Sequence, residues 1–171
     1  MVLSDFGVEM YAAAERYRTA SFVNHIATAG CGGKVTTEQC MELGLGPTAF
    51  DCSGLVIRAV TDVMGWRTND WASDIRHVDQ MARTLPAKAH DLSLPPTAGD
   101  LIVYAHRHGD IEVPFAHIAI CNGAYRVLHA RNRDNADRTV DVEPIRGLGE
   151  SKRFRQIIDP QSLLPHASSE I

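Results

Sequence analysis

Apolar positions first recur at helical spacing. Met10, Ala13, Ala14, Tyr17, Ala20 and Ser21 fall on one stripe of a segment that runs from residue 5 to about 28, and Ser4 and Asp5 can cap its start. The stretch "AGCGGK" ends that pattern, and a short helix is predicted over 37–43, with Thr36 as its cap and Gly44 beyond its end. A third helix is predicted from Cys52 to Met64. Asp51 is a good N-cap and Gly65 a good residue just past the end. Leu55, Val56, Ile57, Ala59, Val60, Val63 and Met64 make this helix apolar nearly all round, which places it in the core. A weaker helix is predicted over Ser73–Arg83, followed by the proline-rich connection "LPAKAHDLSLPPTAG".

Beyond that connection the period changes to two. "DLIVYA", "FAHIAIC", "AYRVLHA", "TVDVEPI" and "RFRQII" are strand patterns separated by turn residues. Helices in the first half and strands in the second predict an α+β fold, with the N-terminal helices packed on one face of an antiparallel sheet of about five strands. The pattern shows no repeat and no second domain. It predicts a single domain over 1–160, with 161–171 as an exposed C-terminal tail.

Composition narrows the function classes. The chain has 171 residues, 44% apolar and 22% charged, enough for one well-cored domain. Its net charge of −4 offers no basic excess to neutralise phosphates, so no nucleic-acid partner is expected. No apolar run is long enough to span a bilayer, so no membrane insertion is expected. The first twenty residues lack the basic start and continuous apolar stretch of a secretory signal. The expectation is a soluble chain made in the cytosol.

The four cysteines are Cys31, Cys40, Cys52 and Cys121, with no pair at zinc-ligand spacing. No metal and no cofactor are expected. Cys52 differs from the others in its position. At the first turn of a helix the unpaired N–H groups and the positive dipole end lower a thiol pKa, and the thiolate is the nucleophile. Such a thiol needs a base that later protonates the leaving group. Of eight histidines, His25 and His77 fall on predicted helices, His90 and His166 in proline-flanked loops, and His106 and His108 beside a charged turn. His117 and His129 sit inside apolar strand patterns instead. A two-residue Asn122-Gly123 turn would point them to opposite faces. A three-residue loop, Cys121-Asn122-Gly123, with Gly123 at positive φ, points both to one face, with His117 near Val127 and His129 near Phe115. A Cys–His–His triad then becomes feasible, with His117 as base and His129 orienting it.

Three stretches in this order, "FDCSGLV", "GDLIVY" and "HIAICNGAYRVLHA", resemble the NlpC-type cysteine peptidases, a papain-like family that cuts bacterial cell-wall peptides. The resemblance runs from about Gly30 to Val142. It implies a papain-like fold with the nucleophile at the N-terminus of the central helix. Residue by residue it implies Cys52 as nucleophile, His117 as base and His129 as the orienting residue. It also implies Asp51 and Ser53 as substrate-binding positions that hold the free amine of a stem peptide. Gly32-Gly33 occupy the family's glycine-pair position without the tyrosine that usually precedes it, which leaves the backbone N–H of Cys52 as the oxyanion donor. The implied activity is a peptidoglycan endopeptidase, cutting the stem peptide at a D-Glu–diamino-acid bond. The implied site of action is the bacterial cell wall, after delivery by a phage or by secretion machinery, as a lysin, a tail enzyme or an antibacterial effector. Two alternatives stay open: an amidase or acyltransferase of the same fold acting on another substrate, and a catalytically degenerate structural domain of a phage or secretion assembly.

Overall fold

The computed structural model describes residues 6–18, 21–22, 49–65, 75, 77–91, 93–130, 140–145 and 154–166. Helix α1 spans Phe6–Glu15 and buries Phe6, Met10, Ala13 and Ala14, a stripe at helical spacing. It is shorter than its apolar pattern predicts. Turn hydrogen bonds from Tyr17 N–H to Ala14 O and from Arg18 N–H to Glu15 O, both 3.0 Å, close its end. Ser21–Phe22 then form a short strand, β1, paired in parallel with Ala49–Phe50, β2. Ser and Phe are middling helix formers. Pairing with β2 gives their backbone groups partners, so tertiary contact overrides the helical spacing. The helix predicted over 37–43, the glycine pair Gly32-Gly33, Cys31 and Cys40 lie outside the described residues.

Helix α2, Cys52–Met64, has the predicted boundaries. Asp51 is extended, with φ −87° and ψ 176°, and its carboxylate accepts the Gly54 N–H at 2.6 Å. Gly65 ends the helix in the left-handed conformation, φ 67°, and its N–H reaches Thr61 O. Leu55, Val56, Ile57, Ala59 and Val60 are buried in one cluster with Phe6 and Met10 of α1 and with Leu101, Val103, Ile118, Ile120 and Leu128 of the sheet. Helix α3, Val78–Thr84, starts later than predicted. The backbone N–H of His77 donates to Gln80 Oε1 at 3.0 Å, which fixes its first turn there.

All five predicted strands form: β3 Leu101–His108, β4 Ile111–Cys121, β5 Arg126–Ala130, β6 Val140–Pro144 and β7 Phe154–Ile158. They make one sheet in the order β6-β5-β4-β3-β7, every neighbour antiparallel. β3 and β4 run further than predicted, because "AHRHGDIEVPFA" is a hairpin rather than a loop, turning at Gly109 with φ 55°. The ladder is interrupted once along its length. Tyr104 pairs with His117 and His106 with Val113, so one residue of β3 faces three of β4.

The tail expectation is corrected over part of its length. Pro160–His166 form a 3₁₀ helix in which Leu163 is fully buried in the main core cluster. Leu163, with buried Pro160 and partly buried Leu164 beside it, docks the segment.

Helix α1 and the turn before β3 meet backbone to backbone. A Cβ on Gly7 would lie 2.2 Å from Ala98 O, whereas a Cβ on Gly65 would meet nothing within 4 Å. Gly7→Ala should therefore cost about 2–3 kcal/mol through overpacking. Gly65→Ala carries only the left-handed penalty of about 1–2 kcal/mol. Urea unfolding of both variants checks this; equal midpoints would show that the crossing yields without strain.

Candidate functional site

Cys52 is the first residue of α2 and is partly exposed. The Asp51 cap fixes the chain direction there, and α2 packs against β4 and β5, the strands that carry His117 and His129. Asp51 and Ser53 are only 3% and 2% exposed. The Asp51 carboxylate is engaged in the cap, so in this conformation the two flanking residues position the thiol's turn and offer little surface to a ligand.

The β4–β5 turn does what the site needs by a different register. Ile120 pairs with Leu128 and Cys121 with Val127, and Asn122 N–H donates to Arg126 O at 3.0 Å. The loop is Gly123-Ala124-Tyr125, not Cys121-Asn122-Gly123. Asn122 Oδ1 accepts the Ala124 N–H at 2.9 Å, so the turn begins at Asn122. Cys121 stays in the sheet, its N–H donating to Asp100 O at 2.8 Å. The expected neighbours Val127 and Phe115 are thereby displaced; the observed register pairs Val127 with Cys121. The parity is still odd, and Gly123 has φ 87° as expected. His117 and His129 share a face with Ile102, Tyr104, Ala119 and Val127, while Ile118, Ile120 and Leu128 enter the cluster shared with α2.

The two imidazoles are in direct contact. His117 Nε2 and His129 Nδ1 are 2.7 Å apart, with ring centroids at 4.9 Å and planes at 72°. His129 Nε2 is buried and lies 3.3 Å from Glu143 Oε2 on β6. On the other side, Tyr104 stacks on His117 at 6.2 Å. Burial, then the neighbouring His129, lower the His117 pKa from its usual 6.5 to about 3; Glu143 pulls weakly the other way. His117 is therefore neutral at physiological pH, as a proton acceptor must be. The sequence pattern does not single out Glu143 or Tyr104, though a signal exists. Val140 and Val142 alternate with Asp141 and Glu143, so once β6 pairs with β5 an acid must fall beside His129.

Cys121 is fully buried, and burial pushes its thiol pKa up. It contacts the carbonyls of Pro96 and Ala124 and is a packing residue. Among the described residues no group of three or more histidine, cysteine or acidic side chains is arranged to hold a metal, and no helix is long and apolar enough to cross a membrane.

A family model described as "NlpC/P60 family" matches residues 38–158, most of the chain. The chain belongs to the NlpC/P60 family. No curated protein matches it in sequence. Solved structures share the fold at low identity. RipD from Mycobacterium tuberculosis, described as a non-catalytic NlpC/p60 domain protein adapted to peptidoglycan binding, is 18% identical with a TM-score of 0.56, over 90% of this chain and 96% of that one. The P60 domain of an antigen from M. avium subspecies paratuberculosis is 19% identical with a TM-score of 0.55, over 91% and 96%. NlpC2 from Trichomonas vaginalis is 15% identical with a TM-score of 0.56, over 90% of this chain but 47% of its own length. An NlpC/P60 protein from Bacillus cereus is likewise matched over only 39% of its length. The NlpC/P60 fold is thus present as a unit that some relatives carry within longer chains.

Two outcomes follow from the site. Iodoacetamide at neutral pH should modify Cys52 well before Cys121, read by peptide mapping; equal rates would show that the helix start confers nothing on Cys52. Acid should destabilise the protein through His117. Its folded pKa lies below the unfolded value, so stability is full above about 6.5, falls as the unfolded histidine protonates first, and levels off below about 3. His117→Asn should flatten that limb in denaturation midpoints measured from pH 7 to 3. An unchanged slope would show that His117 titrates normally.

Proposed function

We propose that this NlpC/P60 protein is a cysteine endopeptidase of peptidoglycan that cleaves the stem peptide, at the D-Glu–diamino-acid bond, through Cys52, His117 and His129. The observation that carries the reading is the 2.7 Å contact between His117 Nε2 and His129 Nδ1 on strands packed against the cysteine-bearing helix. That contact occupies Nε2 and leaves Nδ1 of His117 for the thiol. The imidazoles alternate with the residues packed under α2, so the thiol would reach His117 from the end of the helix, not across its flank.

In the proposed reaction Cys52 Sγ gives its proton to His117 Nδ1 and attacks the peptide carbonyl carbon. The C=O electron pair moves to oxygen, which the Cys52 backbone N–H stabilises. The C–N bond breaks as His117 returns the proton to the leaving amine. Water, deprotonated by His117, then attacks the thioester, releasing the new carboxylate and the thiol. His129 holds the base in register. Asp51 and Ser53 are assigned to the substrate amine by resemblance, which requires a shift at the helix start to expose them. Action at the bacterial wall, with delivery by phage or secretion machinery, belongs to the same proposal.

RipD's description favours a second reading, peptidoglycan binding without turnover. Digestion of purified peptidoglycan, with mass spectrometry of the fragments, separates the two. Wild type should release peptides cut at one bond. Cys52→Ala and His117→Ala should release none while keeping their circular dichroism, and His129→Ala should retain partial activity, about 10–100-fold down. Turnover in Cys52→Ala would remove the nucleophile assignment. Binding with no release by wild type would establish the second reading.

A further inference from the structure

We infer that Glu143 is a positioning residue that sets the tautomer of the histidine pair, through His129, so that His117 Nδ1 is unprotonated and faces outward from the pair. This rests on the proposed role of His117 as base, but its central test does not.

Donors and acceptors at the three groups decide the tautomers. An ionised carboxylate can only accept hydrogen bonds. Glu143 is mostly buried, its side chain 13% exposed, and its Oε2 lies 3.3 Å from His129 Nε2. That proximity favours a proton on His129 Nε2. In a neutral ring the other nitrogen, Nδ1, then carries a lone pair. His117 Nε2, 2.7 Å from it, must donate, which places the His117 proton on Nε2 and leaves Nδ1 free of one. The alternative arrangement, with His129 Nδ1 as donor, would force a proton onto Nδ1 of a neutral His117 and leave it useless as a base. Two imidazoles in contact do not choose between these arrangements by themselves. A carboxylate at one end does.

The fold supplies this order by register. Glu143 pairs with Val127 and His129 with Asp141 in the β5–β6 ladder, so Glu143 sits diagonally from His129 on the same face. When His117 takes a proton its Nε2–H still donates to His129, and the Glu143 charge lies one ring away; its influence on His117 is toward protonation.

The test is ¹⁵N NMR of histidine-labelled protein at neutral pH, with kinetics on the same samples. Wild type should show both His117 and His129 protonated on Nε2. Glu143→Ala should give mixed tautomers at both rings and lower kcat about tenfold, with KM within about twofold. Glu143→Gln offers an amide oxygen as acceptor. It should restore the Nε2–H tautomers and bring kcat within about threefold of wild type, and it also serves if the alanine variant fails to fold. Unchanged tautomers in Glu143→Ala, or in the Glu143→Gln spectra a mixture where retention is expected, would overturn the inference. If wild type has no hydrolytic activity, the endopeptidase reading fails, while the NMR comparison still decides the role of Glu143.

Discussion

The parity of one turn governs the site. His117 and His129 lie twelve residues apart on strands joined at 123–125. Side chains alternate along a strand, so an even loop would turn one ring away and an odd loop turns both to one side. Asn122 starts the turn with its own side chain, and Gly123 adopts the positive φ that closes it. A Cβ at Gly123 would also lie 3.1 Å from Ala98 Cβ, so the same residue is needed for conformation and for space. The imidazole contact and the place of Glu143 beside it depend on this register.

The second constraint is the start of α2. Its flank is buried against α1 and the sheet, which fixes the helix axis. The Asp51 cap then fixes where the helix begins, and hence where the thiol stands. A nearly buried carboxylate is costly unless bonded. Here the Gly54 N–H and the helix dipole offset that cost. A residue that looks like a substrate contact from its motif position is, in this conformation, the support for its neighbour.

Legibility from sequence followed the range of the interactions involved. The boundaries of α2 were readable because Asp51 and Gly65 act within one turn of themselves. The five strands were readable because alternation is local. The end of α1 was not, since the pairing of Ser21–Phe22 with Ala49–Phe50 joins residues nearly thirty apart. The β3–β4 hairpin was obscured by the largely polar run at 106–112, whose one large apolar residue, Ile111, is itself exposed. The segment around Leu163 gave no periodic signal, since Pro160, Leu163 and Leu164 are too few to set a period. Cys52, His117 and His129 stood out through type and spacing, whereas Glu143 needed strand order, which alternation alone does not provide.

The site's polar groups also explain one another energetically. Two adjacent imidazoles in a protected setting resist carrying two charges, and burial together with His129 keeps His117 neutral. Neutral rings conduct no net charge but can be ordered, each donating from one nitrogen and accepting at the other. Order requires an end that accepts only. The sheet places a carboxylate there, on the strand beyond His129. In the proposed arrangement a proton arriving at His117 meets a ring contact aimed away from it, toward the Glu143 carboxylate. Ring contact supplies the geometry, burial supplies neutrality, and strand order supplies direction; none of the three would give a usable base without the other two.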